Sequence, residues 1–69
     1  MKVILYSSGC RRCQTIEHML QQARIDYSIC SDHKIMLAHG FEALPQLQVN
    51  ETIMGYVDAF KWIYNNYLR

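Results

Sequence analysis

The sequence predicts an α/β domain: a mixed four-stranded sheet with three helices, in the order β-α-β-α-β-β-α. Three observations carry this. Short apolar runs, some alternating with polar residues, recur along the chain as strands do. Longer segments between and after them repeat apolar residues at helical spacing. Turn-forming residues separate the two kinds of segment.

Val3-Ile4-Leu5-Tyr6 is a short apolar run ended by Ser7-Ser8-Gly9, and it reads as a buried strand. From Arg11 to about Arg24 the apolar residues fall at Ile16, Met19, Leu20 and Ala23, one face of a helix. Ile25 to Cys30 then alternates apolar with polar, as a half-buried strand does. Strand, helix and strand in this length make a βαβ unit, so the two strands should be parallel with a right-handed crossover. Parallel pairing places Cys30 at the same end of the sheet as Cys10.

Ser31-Asp32 offers an N-cap for a short helix from His33 to about His39, and Gly40 suits its C′ position. Pro45 precedes an alternating strand, Gln46-Leu47-Gln48-Val49, and Asn50-Glu51 turns it into Thr52-Ile53-Met54 as a tight antiparallel hairpin. Gly55 ends that strand. The last helix is expected over Tyr56 to Leu68, with Tyr56, Phe60, Ile63, Tyr64 and Tyr67 on its apolar face.

With 69 residues there is room for one domain, residues 1–69, and one core. A composition 51% hydrophobic and 19% charged suits a globular chain and excludes a disordered one. The formal net charge of +1 gives no footprint for nucleic acid or an anionic membrane. The opening apolar run is too short for a signal-peptide core or a membrane span, so a cytoplasmic monomer is expected. Three cysteines do not make a disulfide framework, and in a reducing compartment a Cys-x-x-Cys pair is more often catalytic or metal-binding.

The chemistry concentrates in Cys10-Arg11-Arg12-Cys13, where the first strand gives way to the first helix. A thiolate at Cys10 would meet the free backbone N–H groups and the positive end of the helix dipole, with Arg11 and Arg12 beside it. These features favour the charged, nucleophilic form. Cys13, one turn into the helix and more covered, is the natural resolving thiol.

Those residues, with Val3 to Ser7 before them, Leu44-Pro45 ahead of the third strand, and Gly55-Tyr56 with Asp58 opening the last helix, resemble the glutaredoxin branch of the thioredoxin superfamily. The resemblance runs over essentially the whole chain. It implies a minimal thioredoxin, glutaredoxin-like fold and a thiol-disulfide oxidoreductase that serves as a dithiol electron carrier. In that family Cys10 would attack, Cys13 would resolve, and Pro45 would be a cis-proline facing the disulfide. Leu44 would offer its backbone to the substrate. Arg11, Arg12, Tyr6, Gly55 and Asp58 would border the substrate site.

The chain departs from most glutaredoxins between the cysteines, at Ala43-Leu44 before the proline, and around Gly55-Tyr56-Val57-Asp58-Ala59. Several of these positions hold glutathione in the family. Gly40-Phe41 and Gly55-Tyr56 also resemble the short glutaredoxin-like donors of ribonucleotide reductase, which thioredoxin reductase recharges. The expected partners are therefore a disulfide-bearing protein such as ribonucleotide reductase and, as reductant, glutathione or thioredoxin reductase. No metal or organic cofactor is implied, although glutathione would be a co-substrate.

The competing reading is metal. Cys10-x-x-Cys13 with Cys30-x-x-His33 has the ligand types and pair spacing of a structural zinc site, which would make the chain a zinc-stabilised binding module. Against it, a complete helix and strand separate the two pairs, and Cys30 reads more simply as a thiol packed at a strand end. His18 and His39 read as surface residues, and Trp62, Tyr64 and Tyr67 as core or helix surface with burial favoured.

Overall fold

The computed structural model describes all 69 residues, a small α/β domain with a four-stranded mixed sheet and three helices. The elements are β1 Val3–Tyr6, α1 Arg11–Gln22, β2 Ser28–Cys30, α2 His33–Ala38, β3 Gln46–Val49, β4 Thr52–Met54 and α3 Tyr56–Ile63. A π-helical turn, Tyr64–Leu68, follows α3. None of the helices is long and apolar enough to cross a membrane.

The strand order is β2-β1-β3-β4. β1 pairs in parallel with β2, Tyr6 standing opposite Cys30, and antiparallel with β3, Leu5 opposite Leu47. Because side chains alternate across a strand, one register fixes two faces. Val3, Leu5 and Leu47 point toward Ile16, Met19 and Leu20 of α1 and Ala59 and Ile63 of α3, and together with Ile25 they form the core. Burying a Leu or Ile side chain contributes roughly 1.5–3 kcal/mol. The other face carries Tyr6, Gln46, Gln48 and Cys30, partly covered by the segment that leaves α2.

Two boundaries differ from what the sequence predicts, the end of the first helix falling earlier and the start of the second strand later. The first helix stops at Gln22 rather than Arg24, because Arg24 takes a left-handed conformation with φ 58°. Its N–H bonds the Gln21 carbonyl at 3.1 Å, and the Ile25 N–H reaches back to Leu20 at 3.1 Å, a Schellman closure. That closure takes Ile25 into the core. β2 therefore begins at Ser28 rather than Ile25, and as an edge strand it leaves Ile29 50% exposed.

α2 is built as its sequence predicts. The Asp32 carboxylate accepts from the Lys34 N–H at 2.9 Å and the Ile35 N–H at 3.4 Å, and Gly40 closes the helix at φ 72°. The hairpin loop has positive φ only at Asn50, 55°, the pattern of a II′ rather than a I′ turn, so Glu51 is under no conformational demand. Asn50 also exchanges hydrogen bonds with the Lys2 backbone, its N–H at 2.7 Å and its side-chain carbonyl at 3.0 Å.

The last helix differs from expectation in two ways. It does not run unbroken to Leu68 but widens into the π turn after Ile63. Its core stripe is Tyr56, Ala59 and Ile63, whereas Phe60, Tyr64 and Tyr67, expected inside, are 40%, 49% and 43% exposed. The apolar residues surround more of the helix than the sheet and α1 can cover.

A candidate dithiol site at the end of the central strand

Strand directions gather four loops at one edge of the sheet. β1 ends there at Tyr6, β2 ends beside it at Cys30, β3 begins there at Gln46, and β4 ends one register step away at Met54. The stretches carrying Cys10, Ser31, Pro45 and Gly55 therefore emerge at a common rim.

The ladder continues one step past β1, the Ser7 N–H donating to the Cys30 carbonyl at 3.0 Å. Ser7 is 6% exposed, and its hydroxyl accepts from the Gly9 N–H at 3.0 Å. Gly9 turns the chain at φ 79°, a conformation open to glycine at little cost. Cys10 then serves as N-cap of α1 with φ −69° and ψ 169°, and its Sγ accepts from the Cys13 N–H at 3.3 Å.

The two sulfurs lie 2.7 Å apart, the Cys10 thiol directed at Cys13. Access separates them: Cys10 is exposed, and Cys13 is 0% exposed. Burial works against a thiolate at Cys13. Hydrogen bonds from the Cys10 thiol, the Ser7 hydroxyl and the backbone at Ser8 and Cys10 outweigh it, and the Cys13 thiol is held below the ordinary thiol value. The hydrogen bonds thus favour negative charge at Cys13, the covered member of the pair.

Arg11 and Arg12 are both exposed beside Cys10, and the Arg12 guanidinium lies 5.3 Å from the centre of the Tyr56 ring at the start of α3. Pro45 follows a cis Leu44–Pro45 bond and is buried, while Leu44 is half-buried. The Gln46 side chain ties this loop to β3 by donating to the Ala43 carbonyl at 3.1 Å. Gly55 is the N-cap of α3, its carbonyl accepting from Ala59 at 2.8 Å, and a Cβ there would meet only Gln46 Nε2 at 3.9 Å. Asp58 is exposed in the first turn of α3, where the helix dipole favours a carboxylate.

Tyr6 is placed differently from a residue that borders a substrate. It is 3% exposed, its hydroxyl donates to Gln48 Oε1 at 2.7 Å, and His39 Nε2 lies 3.4 Å away. Phe41 meets the ring edge-on with centroids 5.0 Å apart and stacks on His39 at the same separation. His39 is exposed, as expected of a surface residue, and its ring also packs against Tyr6 and Phe41.

The zinc arrangement is not formed. Nowhere do three or more Cys, His, Asp or Glu side chains come together as metal ligands, so Cys10, Cys13, Cys30 and His33 do not converge. Cys30 shares the Tyr6 face of the sheet, while Cys13 is carried on α1 at the opposite face.

Ser7, which the sequence places in the Ser7-Ser8-Gly9 turn signal, is a further residue of the site. Its signal was the strand period itself: Val3, Leu5 and Ser7 fall on one face, which aims a hydroxyl at α1. Comparison with family models, curated proteins and solved structures returned no match, so the site stands on its own geometry.

Proposed function

We propose that this chain is a thiol-disulfide oxidoreductase of minimal thioredoxin, glutaredoxin-like fold, working as a small cytoplasmic dithiol electron carrier. The observation that carries the reading is the exposed Cys10 sulfur, 2.7 Å from the fully buried Cys13 sulfur at the start of α1. The parallel β1–β2 pair, the antiparallel β3–β4 hairpin and the cis-proline at the same rim support it.

The chain's own residues suffice for the exchange. Cys10 thiolate attacks one sulfur of a partner disulfide; the Cys10–partner bond forms, the partner S–S bond breaks, and one partner thiolate leaves. Cys13 thiolate then attacks Cys10 Sγ, forming the Cys10–Cys13 disulfide and releasing the second partner sulfur. Two electrons pass to the partner, whose two sulfurs take up the two protons that the cysteines give up. Two molecules of glutathione, oxidised to its disulfide, or thioredoxin reductase return the two electrons and two protons and reverse the change. Hydrogen bonds to Cys13 keep the resolving thiol ready for its step, and Arg11 and Arg12 offer cations to an anionic partner or to a glutathione carboxylate. A disulfide-bearing enzyme such as ribonucleotide reductase is a suitable partner.

The test is reduction of a protein disulfide and of a glutathione mixed disulfide, each recharged by glutathione with its reductase or by thioredoxin reductase with NADPH. Turnover should vanish in Cys10→Ser, and Cys13→Ser should accumulate a covalent complex with a protein disulfide. A Cys13→Ser protein that still turns over protein disulfides would overturn the assignment of roles.

A further inference from the structure

Beside the residues that lead into Cys10, an open groove of about 560 Å³ runs between the β1–α1 loop, the edge strand β2 and the start of α2. Ser8 and Gly9, the two residues before Cys10, form one wall, and Ser31 and His33 form the other. Ile29, half exposed on the uncovered edge of the sheet, lines it as an apolar surface. Glu17 reaches it from α1, four residues and one turn beyond Cys13, and is the only acidic or permanently charged side chain in the lining.

We infer that this groove receives a lysine or arginine side chain of the partner, close in sequence to the cysteine that Cys10 attacks. This rests on the oxidoreductase reading and names the class of substrate it would prefer. The chemistry of the walls fits a long cationic side chain and little else. Its methylene stem lies on Ile29, and its charged head finds the Glu17 carboxylate and the serine hydroxyls. Glu17 is half-buried and has only a long 3.4 Å hydrogen bond from the Tyr27 hydroxyl, so its carboxylate keeps acceptor capacity for a ligand. An anionic side chain would meet the Glu17 carboxylate, and the lining holds no lysine or arginine to offset it. Because Ser8 and Gly9 run directly into Cys10, a chain held in the groove is within a few residues of the reacting sulfur.

The test compares disulfide-linked peptides that differ at one residue placed two positions before or two positions after the cysteine: lysine, methionine or glutamate. The full chain should reduce the lysine peptide with a kcat/KM about two- to fivefold above the methionine peptide, as a partly exposed ion pair allows. Glu17→Gln should bring that ratio to one, and Glu17→Lys should make the glutamate peptide the better substrate. Equal reduction of all three by the wild type, or a lysine preference that survives Glu17→Gln, overturns the groove proposal while leaving the oxidoreductase reading intact. If no peptide is reduced, the oxidoreductase reading fails, and N-acetyl-lysinamide titrated into the protein decides the groove. Saturable amide shifts at Ser8, Gly9 and Ser31 that disappear in Glu17→Gln support it, and their absence overturns it.

Discussion

The backbone N–H of Cys13 donates to the sulfur of Cys10 at 3.3 Å, so the proposed nucleophile is also the cap of its own helix. The dual role separates chemistry from stability. Serine is among the best N-cap residues, so Cys10→Ser should abolish disulfide reduction and leave the urea midpoint at or above that of the reduced wild type. Cys10→Ala removes the acceptor and should cost about 0.5–2 kcal/mol. A Cys10→Ala midpoint equal to that of the reduced wild type would mean that the sulfur does not cap α1.

The Cys13 thiol sets a pH dependence of stability. Its value is depressed in the folded chain, whereas in the unfolded chain it titrates near the ordinary thiol value of about 8.5. A depressed acid contributes stability that is fully present above the unfolded value and is lost as pH falls through the folded one. The stability difference between reduced wild type and Cys13→Ser should therefore move in favour of wild type as pH is raised through the ordinary thiol range. Urea midpoints under a non-thiol reductant measure it, and curves that stay parallel across that range would show that the hydrogen bonds from Cys10 and Ser7 do not favour the thiolate.

Arg24 closes α1 at φ 58°, where a Cβ is unwelcome and glycine is the usual choice. Its N–H bonds Gln21 through the backbone alone, so that bond survives substitution. Arg24→Gly should raise stability by about 0.5–1 kcal/mol, seen as a higher urea midpoint with the same slope. A loss would mean that the arginine side chain contributes more than its backbone conformation costs.

Much of this molecule was legible in the residues because local signals agreed with the packing that followed. Val3 to Tyr6, the Asp32 cap, Gly40 and the Asn50-Glu51 turn each have one good local solution, and the fold uses it. The misplaced boundaries have a shared cause. Arg24 carries no glycine signal to mark the helix stop, and Ile25 fits the alternation of the following strand although it closes the helix. On the last helix the apolar stripe is wider than the covered face, and composition alone cannot choose which edge is left out. At the site, the sequence located Cys10 and Cys13 by spacing, but the Ser7 hydrogen bonds and the groove around Glu17 arise from loops meeting at the sheet edge. The fate of Tyr6 was equally tertiary: a strand-end tyrosine faces solvent or core according to what α2 lays over it.

Tyr6→Phe tests that last point. Burial pushes the Tyr6 phenol above its ordinary value of about 10, and negative charge on nearby Cys30 adds to the effect. A raised acid stabilises the fold fully below its unfolded value, and the contribution is lost as pH rises through the folded value. At neutral pH the variant should be less stable by about 0.5–1.5 kcal/mol, because Gln48 Oε1 loses its 2.7 Å donor inside the packed corner. Above about pH 10 the gap should close and then reverse, since phenylalanine has no proton to lose while the wild type must bury a phenolate or unfold. Cys30→Ser should move the crossing to higher pH, because it removes part of what raises the phenol value and so reduces the stability lost above the unfolded value. Because the Tyr6 ring is enclosed by Phe41 and His39, the variant's KM for a protein disulfide should stay at the wild-type value. A raised KM with unchanged stability would return Tyr6 to the substrate surface.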